Sequence, residues 1–270
     1  VSTIQVERDG AIAILTLNRP KKLNAMGPAF WDEMAPTVRE IDAELDIRVL
    51  VVRGAGRAFT AGLDLMAMMP RLPINPGGKP DGARQMRLHQ VIRDMQGAMT
   101  CLERCRVPVI AAVHGHCIGA GVDLITACDI RLASADALFS VRETRLAIVA
   151  DVGTLQRLPA IIGPGHTREL VFTGRDFDAE YAAQIGLVNR VLPTPEALFE
   201  EALRLAHEIA ANPPLTVQGT KRVMNEARRA EIDRGLEYVA TWNAAHIVTQ
   251  DLGVAVTANM TRQEPEYSGR

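Results

Sequence analysis

"VIAAVHGHCIGAGVDLITACDIRLAS", residues 109–134, passes from five apolar residues through a glycine-rich turn into a second apolar run. A short unbroken apolar segment that ends in a turn reads as a buried strand, here "VPVIAAVHG" (107–115). Gly115, Gly119 and Gly121 make the turn, a helix is expected to about Cys128, and short strands near 129–132 and 138–141. Strand, glycine turn, helix and strand in succession point to an α/β fold.

The same pattern occurs upstream. "VLVVRG" (49–54) reads as a buried strand and leads into "GAGRAFTAGLDL" (54–65). Backbone approaches a ligand closely at such glycine turns, and a helix N-terminus there offers free N–H donors. Two such turns, each closing on Asp-Leu, suggest two sets of amides aimed at one oxygen; glycines that merely make tight strand–helix turns are the plainer alternative. Further out, residues 3–8 and 11–17 alternate around Asp9-Gly10 as a hairpin. "NRPKKLNAM" (18–26) is a loop, 28–45 has helical periodicity, 70–83 is a loose Pro/Gly-rich stretch, and a long helix runs to Cys105. From 153 onward helices dominate, with a strand at "LVNRVL" (187–192) and a helix start at "NPP" (212–214). The helix-only last quarter argues for a separate C-terminal subdomain.

Composition narrows the function classes. A net charge of −2 over 270 residues gives no strong footprint for nucleic acid. No apolar run reaches the roughly 18 to 20 residues of a membrane span, and "VSTIQVERDGAIAILTLNRP" lacks the regions of a signal peptide. Cys101, Cys105, Cys117 and Cys128 sit in apolar surroundings outside CxxC pairs, so no disulfide framework and a reducing, cytoplasmic location are expected.

Three acids stand out. Glu143 and Asp151 flank the mostly apolar segment of "RETRLAIVADVGT" (142–154), and Asp123 closes the second glycine turn. A carboxylate among apolar neighbours is costly unless paired, hydrogen-bonded or used. Each also has a bland reading: Asp123 as a first-turn helix acid, Glu143 as an ion-pair partner of Arg142 or Arg145, Asp151 as a cap for a helix starting near Val152. Together they would suit Mg²⁺ or Ca²⁺, but the paired glycine turns make little sense on that view. A dinucleotide fingerprint fails at Phe59, where glycine is wanted, and no phosphate-binding GxxxxGK[ST] occurs. "GHCIG" has the context of a nucleophile elbow, with Cys117 as nucleophile and His166, His207 or His246 as base. That makes a Cys117-dependent hydrolase a rival. His114 and His116, beside the second turn, are expected to pack or hydrogen-bond.

"GRAFTAGLDL", "VIAAVHGHCIGAGVDLITACDIRLAS" and "DVGTLQRLPAIIG", in this order, resemble the crotonase (enoyl-CoA hydratase/isomerase) superfamily, and weaker likeness covers nearly the whole chain. The resemblance implies an α/β spiral of β-β-α repeats over residues 1–200 and a helical trimerisation region over 201–270, in a homotrimer or homohexamer. It implies that the backbone N–H groups of Leu63 and Ala120 hold a thioester oxygen, and that Lys22, Leu23, Ala61, Gly62 and Asp64 contact coenzyme A, with the 66–83 stretch bordering the acyl pocket. Asp123 and Glu143 correspond to the two acids of the family's hydratases, which carry glycine at the third position. Asp151 there resembles the branch that isomerises 3,5-dienoyl-CoA to 2,4-dienoyl-CoA in fatty-acid β-oxidation, without metal or redox cofactor. The implied catalytic set is Asp123, Glu143 and Asp151. A 2-enoyl-CoA hydratase and a non-catalytic acyl-CoA-binding protein are the other readings.

The isomerisation moves a proton from C2 to C6, so it needs a stabilised enolate and two proton carriers set apart. Eight residues of helix span about 12 Å and of strand about 26 Å. Carboxylates at 143 and 151 therefore meet one dienoyl chain only if the segment between them bends.

Overall fold

The structure is a computed structural model that describes residues 2–74, 81–261 and 263–270, with the side chains of residues 259 and 260 excepted. The expected hairpin is β1 (Ile4–Asp9) and β2 (Ile12–Leu17), paired antiparallel around Asp9-Gly10. α1 (Pro28–Ala43) begins with proline in its first turn, where a missing N–H costs nothing. It buries Phe30, Trp31, Met34, Val38 and Ile41. β3 (Val49–Gly54), a short α2 (Leu65–Met68) and the long α3 (Gly82–Arg104) follow, the last capped by Asp81 on the N–H groups of Ala83 and Arg84. Residues 75–80, the middle of the expected loose stretch, lie outside the described residues.

β4 (Val109–Val113) is shorter than the 107–115 expected. Pro108 has no N–H for the ladder, and Gly115, at φ +56°, turns the chain away. β5 (His116–Ile118), α4 (Ala120–Thr126), β6 (Ile130–Ser134) and β7 (Leu138–Ser140) come next. Then follow α5 (Thr154–Thr173), β8 (Phe177–Asp178), α6 (Ala179–Gln184), β9 (Arg190–Leu192), α7 (Pro195–Ala210), α8 (Pro214–His246) and α9 (Gln250–Thr261). β5 and β8 are too short to register as strands by apolar pattern.

Among the described residues the strands form two sheets. The larger has the order β1-β2-β3-β4-β6-β9, parallel from β2 onward; the smaller is β5-β7-β8. β2, β3 and β4 are apolar almost throughout because both faces are covered. Leu15, Leu50, Val52, Ala111 and Val113 face the main core with α1 and α3. Ile12, Ile14, Val49, Val51, Ile110 and Leu132 face α7, which meets them with Leu198, Ala202, Ala206 and Ala210. These four residues recur every fourth position and form one stripe of the helix. The boundary expected between residues 200 and 201 falls inside α7. α8 packs chiefly along α3, and α9 contacts the 143–146 turn.

Successive turns of chain stack across the sheets through isolated bridges, Met26 with Leu63 and Thr60 with Cys117, as a β-β-α spiral requires. This stacking brings the two glycine turns together.

Candidate active site

Thr60 N–H donates to His116 O and Ile118 N–H to Thr60 O, so the first glycine turn is laced to β5, the start of the second. Gly62 sits at φ +83°, and a Cβ there would be 2.4 Å from Ile118 O and 3.5 Å from Ala120 N. Only glycine allows this approach. Ala120 is the first residue of α4, so its N–H has no acceptor within the helix. On the other side, Met26 N–H donates to Gly62 O and Asp64 N–H to Met26 O, which leaves Leu63 N–H facing away from that bridge. Neither Leu63 N–H nor Ala120 N–H finds an acceptor among the described residues, and both residues line one cavity of about 680 Å³.

Glu143 and Asp151 line the same cavity, with Met95 and Ile148 adding apolar wall. The segment between the acids is neither α-helix nor strand. Glu143 opens a 3-10 turn (143–146), Ala147 is left-handed at φ 55°, and Ile148 N–H donates back to Glu143 O. The chain thus bends between the two acids, both of which line the cavity. Glu143 Oε1 stands 3.1 Å from where a Cβ of Gly119 would be, next to Ala120. Its Oε2 is buried with no partner, and it forms no ion pair among the described residues. Arg142 instead pairs with Asp176, and Arg145 reaches Thr173 O.

Asp123 is fully buried on α4. Its Oδ1 accepts from Thr154 N–H at 2.6 Å, so it caps α5 rather than serving only its own helix; Oδ2 has no partner among the described residues. Asp151 does not cap: Gly153 holds the N-cap position, while Asp151 Oδ2 accepts from Asn243 Nδ2 at 2.6 Å. Burial is the main force on all three acids. It pushes Asp123 up to about 6 against the pull of Thr154 and Arg157. It pushes Glu143, aided by the charges of Asp123 and Asp151, up to about 8. Asp151 rises to about 7, held back by Asn243 and raised by Asp123. Glu143 and Asp151, crowded in apolar surroundings, thus retain protons near neutrality, whereas Asp123 is mostly ionised there.

Ala61 and Gly62 line the cavity; Lys22, Leu23 and Asp64 lie outside its wall. Leu23 O accepts from Ala61 N–H, which seats the 20–22 turn beside the wall. Asp64 is occupied as the α2 cap and as the partner of Arg19. Cys117 is buried in β5, its thiol pushed well above the ordinary range by burial. The histidines expected to serve it are engaged elsewhere, His166 with Tyr181, His207 with Asp9 and His246 with Trp242. His114 hydrogen-bonds Gly56 O. Among the described residues no three His, Cys, Asp or Glu side chains stand together as a metal site.

Several residues at the site carry no local sequence signal. Asn243 and Gln96 reach it from α8 and α3. Arg157, almost fully buried, lies behind Asp123 and pairs with Glu103 and Thr100. Ala255 of α9 and Pro265 and Tyr267 of the terminal segment close one side of the cavity. Only the polar pair Gln156-Arg157 inside "TLQRLP" marks Arg157 in the sequence; the others are brought in by tertiary contact alone.

The family profile described as enoyl-CoA hydratase/isomerase matches residues 7–270. The chain is 42% identical over 265 residues to the Arabidopsis thaliana protein named Delta(3,5)-Delta(2,4)-dienoyl-CoA isomerase, peroxisomal, covering 98% of this chain and 95% of that one. It is 45% identical over 249 residues to the Homo sapiens protein named Delta(3,5)-Delta(2,4)-dienoyl-CoA isomerase, mitochondrial, covering 92% and 76%. A solved enoyl-CoA hydratase/isomerase from Xanthobacter autotrophicus Py2 superposes with a TM-score of 0.84 at 31% identity, covering 96% of this chain and 93% of that one. The names of the two relatives place those proteins in organelles, so similarity does not carry the cytoplasmic expectation. Among the described residues no helix is long and apolar enough to cross a membrane.

Proposed function

The chain belongs to the enoyl-CoA hydratase/isomerase family, and we propose that it converts 3,5-dienoyl-CoA to 2,4-dienoyl-CoA in fatty-acid β-oxidation. The observation that carries this reading is Asp151, an acid that shares the cavity of Glu143 and of the two glycine turns.

The thioester oxygen accepts from Leu63 N–H and Ala120 N–H, which stabilise negative charge as C2 loses its proton. Glu143 lies against Gly119, next to the Ala120 donor, so it serves C2. In the form of the pair that keeps its one proton on Asp151, the Glu143 carboxylate takes the C2 proton, and the electron pair spreads over C2, C4, C6 and the thioester oxygen. Asp151, held from the α3 and α8 side, gives its proton to C6. The double bonds then lie at C2=C3 and C4=C5, Glu143 is neutral and Asp151 charged. Substrate and product are isomers, so no electrons or water enter the balance and no cofactor is required. Asp123 stays behind the pair as a charge and as the cap of α5.

Coenzyme A is proposed to run past Ala61 and Gly62 toward Lys22 and Leu23, with Asp64 holding the turn. A homotrimer or homohexamer is the assembly we propose, supported by Leu215, Val223 and Met224, which α8 leaves exposed.

Two measurements test the reaction. Asp151→Asn is expected to lower 3,5-dienoyl-CoA turnover by about 10²–10⁴-fold with KM little changed, since it removes a proton carrier and keeps the side chain's shape. The growth of conjugated-diene absorbance reads this directly, and a full rate in the variant refutes the role of Asp151. Faster turnover of a 2-enoyl-CoA than of the dienoyl ester favours the hydratase reading. The pH profile is the second. Turnover needs one proton on the Glu143–Asp151 pair, which titrates near 7 and 8. kcat/KM is therefore expected to rise with pH to about 7, where the first proton leaves, and to fall above about 8, where the second does.

A further inference from the structure

We propose that Asn243 is a positioning residue that clamps Asp151 so that Oδ1 alone carries and delivers the proton; this deepens the reading above and rests on Asp151 serving C6. Asn243 is buried on α8, and its Nδ2 donates both to Asp151 Oδ2 at 2.6 Å and to Val149 O at 2.8 Å. A main-chain carbonyl can only accept, so the atom facing Val149 is the NH₂ group. Its two hydrogens are matched by two acceptors, one of which is Oδ2. A proton on Asp151 consequently resides on Oδ1.

A second amide secures the same segment. Gln96 on α3 donates through Nε2 to Asp151 O at 2.7 Å and to Leu236 O of α8 at 2.9 Å. Its Oε1 accepts from Arg93 Nη1 at 2.7 Å, which fixes that amide's orientation as well. Two helices thus grip residues 149–151 by two main-chain carbonyls and one carboxyl oxygen. Glu143, by contrast, has Oε2 with no donor among the described residues.

The grip has a chemical consequence. When Oδ1 gives its proton to C6, charge is left on Asp151, and the donor already at Oδ2 stabilises it. Loss of that donor makes Asp151 hold its proton more tightly and leaves the carboxyl free to rotate. The charged and titratable groups acting on Asp151 are Asp123 from α4 and Glu143 from the 3-10 turn. From α3, Arg93 bonds Gln96, and from α5, Arg157 acts on Asp123. None of these is altered by a change at 243.

The experiment compares wild type with Asn243→Leu, close in volume but with no donor. kcat for 3,5-dienoyl-CoA is expected to fall about 10–100-fold, with KM within about twofold, as for loss of one hydrogen bond to a charged group. The limb of the kcat profile near pH 7, where Asp151 titrates, should move up toward 8. Exchange of the C2 hydrogens of a 3-enoyl-CoA in D₂O, which needs Glu143 and the two amides only, should keep its wild-type rate. Asn243→Ala gives the same readout without added bulk if the leucine variant does not fold. An unshifted profile with wild-type kcat overturns the proposal, and so does a parallel loss of isomerisation and C2 exchange, which marks a merely structural role. Absence of isomerisation in the wild type defeats the functional reading instead, and is read in the same assay.

Discussion

Glu143→Gln is expected to cut 3,5-dienoyl-CoA turnover by about 10²–10⁴-fold and to make the protein more heat-stable at neutral pH. The first effect follows from the position of Glu143, whose carboxyl is the nearest group to a Cβ at Gly119, beside the Ala120 donor. The second follows from linkage. Burial raises the carboxyl from the ordinary value of 4.5 to about 8, so between these values the folded protein holds a proton that the unfolded chain has released. Stability contributed by the neutral carboxyl is fully present below the unfolded value and is lost as pH rises through the folded one. A glutamine needs no proton, so it removes this loss, by roughly 1–3 kcal/mol near pH 7 once relaxation of the site is allowed for. Thermal melts from pH 5 to 8 check it. The wild-type Tm should decline with pH across this window, and the variant's should decline less. A variant that melts lower than wild type at pH 8 contradicts the assignment of Glu143 as a strained buried acid.

Gly62→Ala carries the other large effect. Its Cβ would lie 2.4 Å from Ile118 O, at a backbone φ of +83° that disfavours any side chain. The two glycine turns must separate to admit the methyl group. Leu63 N–H then no longer meets the same oxygen as Ala120 N–H, and loss of one such donor costs about 10²–10³ in rate. The strained backbone adds about 1–3 kcal/mol of destabilisation. Gly97→Ala is the matching control: it lies on α3, where an added Cβ has nothing within 4 Å. It should leave turnover intact and stabilise slightly, as alanine does for glycine inside a helix. Equal effects of the two substitutions on turnover would show that the closeness of the turns is irrelevant to the chemistry.

Much of this site is legible in the chain because its parts are local. Glycines at 62 and 119 mark places where backbone must come close, and an acid at 151 in an apolar setting calls for a purpose. The hairpin, β3, β4 and the helices follow from apolar period and from Gly, Pro and Asp punctuation. β5 escapes such reading because three residues, of which His116 is exposed, have no period; their pairing with Thr60 and β7 makes them a strand. Asp123 does lie in the first turn of α4, but the local readings of the acids fall short for equally non-local reasons. Asp123 caps a helix that begins 31 residues later, and Glu143 has its neighbouring arginines drawn to Asp176 and Thr173.

The amino-acid order alone determined the alternation of buried strands with helices, the two glycine turns and the presence of three costly carboxyls, since each depends on residues close along the chain. Tertiary structure alone decided that the turns face one cavity, that the 143–151 segment doubles back, and that Asn243 on α8 holds Asp151 by its Oδ2. Such contacts join groups 92 residues apart, and a carboxyl's proton affinity is set by whatever packing brings beside it, which no run of neighbouring letters encodes.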